Sequence, residues 1–157
     1  MATVNRPDVR HVFLDKSLIR SIENIVGKEN VLSSKEDLIC YSYDATNLEA
    51  LPDLVVFPKE AKEISEILIL ANKNGFPVIP RGAGTGFTGG SLPVRGGVVL
   101  ALTRLNRVIE IDTENLVAVV EPGVITGEFQ KQVESFINRK VWAGIFLINL
   151  IYNYYNF

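Results

Sequence analysis

Cysteine and histidine are almost absent from the sequence. The 157 residues include one cysteine, Cys40, and one histidine, His11. A single cysteine excludes a disulfide within the chain and any Cys-x-x-Cys metal or redox motif. A single histidine in the N-terminal arm argues against a metal site built on histidine. The sequence therefore predicts no metal centre, and we expect Cys40 to pack as a small apolar side chain.

The sequence also lacks a large excess of positive or of negative charge. Sixteen lysines and arginines face eighteen aspartates and glutamates, for a formal net charge of -2. The basic residues are scattered and do not alternate with aromatic residues, so the sequence gives no basis for nucleic-acid binding. The N-terminus carries no apolar stretch of the kind found in secretory signals. A cytoplasmic protein with one main domain is the resulting expectation.

Glycine is concentrated in one stretch of the chain. Seven of the twelve glycines lie between positions 82 and 97. Because glycine loses the most conformational entropy on folding, such a cluster needs either positive φ angles or close approach by another molecule. Arg81 and the hydroxyls of Thr85, Thr88 and Ser91 supply donors suited to an anion, above all phosphate. The other interpretation, a tight multi-turn connection between strands, accounts for the glycines alone.

Apolar periodicity predicts a strand, a helix and a second strand directly before this stretch. Residues 54–58 form an apolar run that ends at a proline, which is typical of a buried strand. Residues 59–74 have helical spacing and are followed by Gly75, and residues 76–80 form the next strand. Such a unit usually makes a parallel strand pair with a right-handed crossover. The other predicted elements are helices at 14–26, at 35–41 and from Thr126, a strand at 98–102, and a hairpin of 108–112 with 116–121.

Three segments of different character divide the chain. We expect a helical arm over residues 1–53, an α/β part over residues 54–140, and an uncharged apolar tail over residues 141–157. The tail has 17 residues, whereas a membrane-spanning helix needs about 20 apolar residues. Its richness in Ile, Leu, Asn, Tyr and Phe is typical of AT-rich codons read out of frame. We expect the tail to be foreign to the fold and membrane association to be absent.

Two common phosphate-binding motifs are excluded by the residues that surround the glycines. The pattern G-x-G-x-x-G occurs at Gly84, Gly86 and Gly89, but the proline and glycines that follow prevent the helix that a Rossmann fold needs there. A Walker loop fails because a glycine–serine pair stands where Lys-Ser/Thr belongs. Asp112 follows the glycines at the sequence separation expected of a ribose-binding acid. Its position at the turn between two predicted strands instead predicts a hairpin turn residue. Phosphate would therefore be held by N–H groups of the loop.

The glycine stretch resembles the FAD loop of the FAD-linked oxidases, also called PCMH-type or vanillyl-alcohol-oxidase-like flavoproteins. The resemblance rests on Pro-Arg-Gly-Ala-Gly-Thr-Gly at 80–86 and Thr-Gly-Gly-Ser at 88–91, with further matches at 56–58, 105–112 and 120–124. It covers about residues 14–134 and is strongest to the glycolate oxidase and D-lactate dehydrogenase branch. It implies an α/β (α+β) fold, the first subdomain of a PCMH-type FAD-binding fold. A helical N-terminal arm and a small mixed sheet with flanking helices would compose it.

The resemblance also implies FAD as the cofactor and suggests which residues contact it. Pro122, Gly123 and Val124 would lie along the flavin. The residues that would wrap the FAD pyrophosphate are Pro80, Arg81, Gly82, Ala83, Gly84, Thr85, Gly86, Thr88, Gly89, Gly90 and Ser91. Whole enzymes of this kind oxidise a 2-hydroxy acid by hydride transfer to the flavin, which the protein positions and tunes.

The sequence departs from the family by ending where the family continues. By this resemblance we expect the second FAD subdomain and the substrate domain to be absent, so the resemblance assigns cofactor residues and no catalytic ones, and FAD should bind weakly to this chain alone. We expect the FAD-binding portion of a 2-hydroxy-acid oxidoreductase, truncated or frameshifted and inactive by itself. One alternative is a split enzyme completed by a second chain. Another is a stand-alone nucleotide-phosphate binding or interaction module whose apolar tail associates with a membrane or partner.

Overall fold

The computed structural model describes residues 14–137. The chain divides between Ala101 and Leu102 into two compact units, and each unit is described by itself. The apolar tail predicted over residues 141–157 lies outside the described residues. Within residues 14–137 no helix is both long enough and apolar enough to cross a membrane.

A four-stranded mixed sheet forms the centre of the first unit. Its strands are β1 (Val31–Leu32), β2 (Leu54–Val56), β3 (Val78–Arg81) and β4 (Val98–Ala101), in the spatial order β1-β2-β4-β3. β4 pairs in parallel with both β2 and β3, whereas β1 pairs antiparallel with β2. Every residue of β2 and β4 is buried, as continuous apolar runs in parallel strands predict. The predicted small mixed sheet is confirmed.

Helices of the first unit begin and end where the sequence places capping residues. α1 (Lys16–Val26) begins after Asp15, whose carboxylate accepts hydrogen bonds from the N–H groups of Ser17 and Leu18 at 2.9 and 2.8 Å. Such a cap satisfies two of the unpaired N–H groups in the first turn. α2 (Lys35–Ile39) is a single short helix, and α3 (Ala61–Asn74) connects β2 to β3. α3 ends at Gly75, which takes the left-handed conformation (φ 75°, ψ 22°) that favours glycine.

The core of the first unit lies between this sheet and its helices. Ile22 of α1 and Ile67 of α3 are both fully buried, and the two helices pack against each other. Leu38, Val55, Val99 and Ala101 form a buried cluster near α2. The prediction for Cys40 was wrong. The side chain directly after α2 is exposed, because the apolar face of this short helix is taken by Leu38.

The second unit contains a hairpin followed by a helix. β5 (Val108–Asp112) and β6 (Val117–Val120) pair antiparallel, and α4 spans Thr126–Ile137. Asp112 closes the hairpin, since its carboxylate accepts hydrogen bonds from the N–H groups of Glu114 and Asn115 at 3.0 and 2.9 Å. This is the side-chain-to-backbone pattern of an Asx turn. The interpretation of Asp112 as a turn residue is confirmed.

Candidate functional site: the glycine loop

The glycine loop, residues 82–97, leaves the sheet at the end of β3 and returns at β4. It consists of turns and bends, without a helix. β3 and β4 are parallel neighbours, so the loop starts at the carboxyl end of β3, the end at which open α/β sheets bind ligands. Any phosphate bound here would be held by loop N–H groups and side chains. The rejection of Rossmann and Walker geometries is therefore confirmed.

The fold requires glycine at some positions of the loop and not at others. Gly84 and Gly89 have φ angles of 72° and 71°, a left-handed conformation that other residues rarely adopt. Gly82 and Gly86 lack this conformation, and a β-carbon built on either would meet no atom within 4 Å. A β-carbon on Gly90 would make only an ordinary contact at 3.6 Å with the Thr88 hydroxyl. The fold itself therefore leaves room for a side chain at Gly82, Gly86 and Gly90, space that an approaching ligand would need.

Arg81 places a buried cation at the start of the loop. The residue is only 6% exposed. Its Nη1 donates a long hydrogen bond of 3.4 Å to Ser91 Oγ, and its Cζ lies 5.7 Å from the centre of the Tyr41 ring. A guanidinium has five N–H donors, and the others have no hydrogen-bond partner within residues 14–137. Unused donors on a fixed guanidinium are well suited to bind the oxygen atoms of a phosphate.

Gly84 also makes room for Arg81. A β-carbon on Gly84 would overlap Nη2 and Cζ of the Arg81 guanidinium. The guanidinium therefore occupies the space that a side chain at position 84 would need. Glycine at this position serves both the backbone conformation and the position of the cation.

A segment far upstream in the sequence braces the loop. The Ala45 N–H donates to the Gly86 carbonyl at 3.2 Å, and the Ala50 N–H donates to the Ser42 carbonyl at 2.7 Å. Asp44 stabilises this turn by accepting hydrogen bonds from the Thr46 N–H and hydroxyl. These residues fall within the predicted helical arm over residues 1–53, and their contact with the loop was not predicted. The signal was the aspartate two residues before a threonine, a pattern typical of Asx turns.

The remaining predicted cofactor residues, Pro122, Gly123 and Val124, lie in the second unit between β6 and α4. Gly123 donates its N–H to the Leu105 carbonyl at 2.7 Å. A β-carbon there would overlap the Leu102 carbonyl oxygen and lie 2.9 Å from that of Leu105. Packing against this backbone is therefore sufficient reason for glycine at position 123. Contact of these three residues with flavin stays a prediction.

An ion pair fixes the end of β6 just before Pro122. The Glu121 carboxylate, 8% exposed, accepts hydrogen bonds from the Arg107 backbone N–H at 2.8 Å and from Arg107 Nε and Nη2 at 3.0 and 2.7 Å. The hydrogen bonds from the Arg107 side chain hold the pKa of the Glu121 carboxyl below its ordinary value. Glu121 is thus kept ionised at neutral pH. Its carboxylate is paired with Arg107, the residue directly before β5.

Gly123→Ala should destabilise the fold by about 1–3 kcal/mol, because a methyl group would be forced against backbone that cannot rotate away. Urea denaturation followed by circular dichroism measures this effect. Gly127→Ala is the matched control, since a β-carbon at Gly127 meets nothing within 4 Å. Equal unfolding midpoints for the two variants would contradict the packing role of Gly123.

Comparison with known proteins identifies the family. Residues 52–143 match the FAD binding domain family. The chain is 41% identical over 123 residues to the glycolate oxidase subunit GlcD of Bacillus subtilis, covering 78% of this chain and 26% of that protein. It is 34% identical over 87 residues to the D-lactate dehydrogenase of Anaerostipes hadrus, covering 55% of this chain and 18% of that protein.

A solved structure has the same fold. The crystal structure of p-cresol methylhydroxylase with substrate bound matches with a TM-score of 0.67 and 27% identity, over 75% of this chain and 24% of that chain. The chain thus spans about a quarter or less of the length of these relatives. The predicted fold class, family and cofactor are confirmed. The chain belongs to the PCMH-type FAD-binding domain family, whose cofactor is FAD.

Proposed function

We propose that residues 80–91 hold the pyrophosphate of FAD and that the chain is the FAD-binding portion of a flavin-dependent 2-hydroxy-acid oxidoreductase. One observation carries the proposal: buried Arg81 has unused donors, and the loop beside it contains glycines that the fold does not require. A doubly charged pyrophosphate needs both a cation and close-lying backbone N–H groups. The names of the relatives, glycolate oxidase subunit and D-lactate dehydrogenase, support a 2-hydroxy acid as substrate of the whole enzyme.

Each part of the loop has a separate task in this proposal. Arg81 neutralises the phosphate charge, while the absent side chains at Gly82, Gly86 and Gly90 let the phosphate oxygens approach the backbone. The hydroxyls of Thr85, Thr88 and Ser91 are further donors. When bound, FAD supplies the hydride-accepting flavin. Pro122, Gly123 and Val124 would line the flavin, and residues outside this chain would bind and orient the substrate.

Completion of the FAD site by further protein is part of the proposal. Most of the loop from Gly82 to Thr88 is exposed, including Phe87 at 81%. A ligand held on one side keeps much of its surface in water and binds weakly. We infer that the other side of FAD is covered by protein beyond this chain, either a continuation or a second chain. Substrate oxidation would require that protein.

Alanine substitutions in the loop test the proposal. Gly82→Ala, Gly86→Ala and Gly90→Ala should each keep the wild-type unfolding midpoint, because the fold accommodates the added methyl group. Each should weaken FAD binding by about tenfold or more, since a methyl group would hold the phosphate away from the N–H groups. Titration of FAD fluorescence with purified protein measures the affinity.

Gly127→Ala is the control for these variants, because it adds the same methyl group at an open position outside the loop. It should leave FAD affinity unchanged. If all three loop variants bind FAD as tightly as Gly127→Ala, the pyrophosphate does not lie against this backbone and the proposed function is wrong.

A further inference from the structure

Asp44 carries an unpaired carboxylate oxygen beside the glycine loop. Its Oδ1 accepts hydrogen bonds from the Thr46 N–H and hydroxyl. Its Oδ2 is buried, and within residues 14–137 it is the only buried side-chain nitrogen or oxygen of a non-exposed residue that has no hydrogen-bond partner. Buried acceptors without donors are costly and rare in native proteins. An acceptor that the chain leaves unpaired at this place is available to a ligand donor that displaces the groups covering it.

The surroundings of Asp44 place it next to the proposed phosphate site. Ala45, the next residue, is hydrogen-bonded to the Gly86 carbonyl. The pKa of the Asp44 carboxyl is lowered, first by the Thr46 hydroxyl and then by the Thr46 N–H, with smaller contributions from the Arg81 charge and the Ser91 hydroxyl, while desolvation opposes the shift. Neither Arg81 nor Ser91 makes a hydrogen bond to Oδ2, although the Ser91 hydroxyl is close enough to the Asp44 carboxyl to help lower its pKa. Asp44 is thus ionised, and Oδ2 can accept a further hydrogen bond.

The chemistry of a carboxylate restricts the ligand group that Oδ2 can bind. An ionised carboxylate only accepts hydrogen bonds, so it cannot bind a phosphate oxygen, which also only accepts. It needs an O–H or N–H group located close to the phosphates. FAD carries sugar hydroxyls on both sides of its pyrophosphate, on the ribose of the adenosine and on the ribityl chain of the flavin. The Asp44 carboxylate and a pyrophosphate are both negatively charged and repel each other. The positive charge of Arg81 would reduce this repulsion and allow the two groups to lie close together.

We propose that Oδ2 of Asp44 accepts a hydrogen bond from a sugar hydroxyl that flanks the FAD pyrophosphate. This inference rests on the proposed function of the loop and adds a cofactor contact outside the glycine motif. Asp44 then selects for a nucleotide over a bare phosphate anion, since its charge repels the phosphates and only the hydroxyl compensates. The loop would bind the charge, and Asp44 would recognise the sugar.

The test compares Asp44→Asn with wild type in the 157-residue chain, using FAD and inorganic pyrophosphate as separate ligands. Asparagine keeps the shape and the Thr46 contacts but places an NH₂ donor or a weaker acceptor at Oδ2. FAD affinity should fall by about tenfold, the loss expected for one hydrogen bond to a charged group. Pyrophosphate affinity should stay the same or rise, because a negative charge has been removed.

ADP and FMN identify the sugar. ADP carries the ribose and FMN carries the ribityl chain, so the ligand that contains the contacted hydroxyl should lose affinity as FAD does. Asp44→Ser is a second variant, because a serine oxygen can still accept from the Thr46 N–H and preserve the turn while Oδ2 is removed. Glu49→Gln, the loss of an exposed charge in the same segment, should change FAD affinity less than twofold.

Two different failures can be told apart. Wild-type chain that binds neither FAD nor pyrophosphate would contradict the proposed function, and the Asp44 contact with it. Wild-type chain that binds FAD, with affinity unchanged in folded Asp44→Asn and Asp44→Ser, would overturn the Asp44 contact alone. Equal losses for FAD and pyrophosphate would also overturn it, because they would show that Asp44 acts only on loop structure.

Discussion

Arg81→Met is expected to weaken FAD binding by about 100-fold or more, the largest effect among the substitutions proposed here. The buried guanidinium has donors available for two phosphate oxygens, and each hydrogen bond to a charged group contributes roughly 1.5–3 kcal/mol. The methionine side chain is unbranched like that of arginine and carries no charge, so the packing beside Tyr41 is largely kept. FAD fluorescence titration measures the affinity, and circular dichroism checks the fold.

Arg95→Met is the matched control for Arg81. It removes the same charge from an exposed position in the same loop, so long-range attraction of FAD changes equally in the two variants. Arg81→Lys should give an intermediate loss, since it keeps the charge but not the fork of donors. Equal affinities for Arg81→Met and Arg95→Met would show that Arg81 contributes only net charge.

Gly84→Val should weaken FAD binding nearly as much as Arg81→Met, although position 84 itself carries no charge. A branched side chain at a φ of 72° is strained by about 1–2 kcal/mol and would displace the Arg81 guanidinium from its place. We therefore expect a lower urea midpoint together with a loss of FAD affinity of about 30-fold or more. Both are measured on the same protein preparation.

Gly75→Val separates strain from displacement of the cation. Gly75 has the same left-handed conformation, with φ of 75°, and a β-carbon there meets nothing within 4 Å. This variant should lose a similar amount of stability and keep wild-type FAD affinity. If Gly84→Val also keeps wild-type affinity, the position of Arg81 that we describe is irrelevant to FAD binding.

Features that depend on neighbouring residues were predictable from the sequence. The buried strands β2 and β4 follow from continuous apolar runs, and α3 follows from its spacing and from Gly75 as its terminator. The clustered glycines and Arg81 predicted an anion-binding loop without a helix. In each case the physical cause acts within a few residues of the chain. It is an apolar run, a helical spacing of apolar residues, or a backbone conformation that needs glycine.

Features that depend on distant residues were not predictable. Asp44 and Tyr41 meet the loop only because the chain folds residues 41–50 against it, and no local pattern shows this. Gly123 looked like a cofactor residue by resemblance, whereas the carbonyl groups of Leu102 and Leu105 already require glycine there. Cys40 was expected to be packed, but the short α2 buries Leu38 in its place.

The central claim, that the loop binds FAD through its pyrophosphate, is tested most directly by comparing FAD with riboflavin. Riboflavin has the same fluorescent ring system and no phosphate. Titration of each with the purified chain should show saturable binding of FAD that inorganic pyrophosphate competes away, and far weaker binding of riboflavin. Equal binding of FAD and riboflavin, or FAD binding that pyrophosphate does not displace, would contradict the claim.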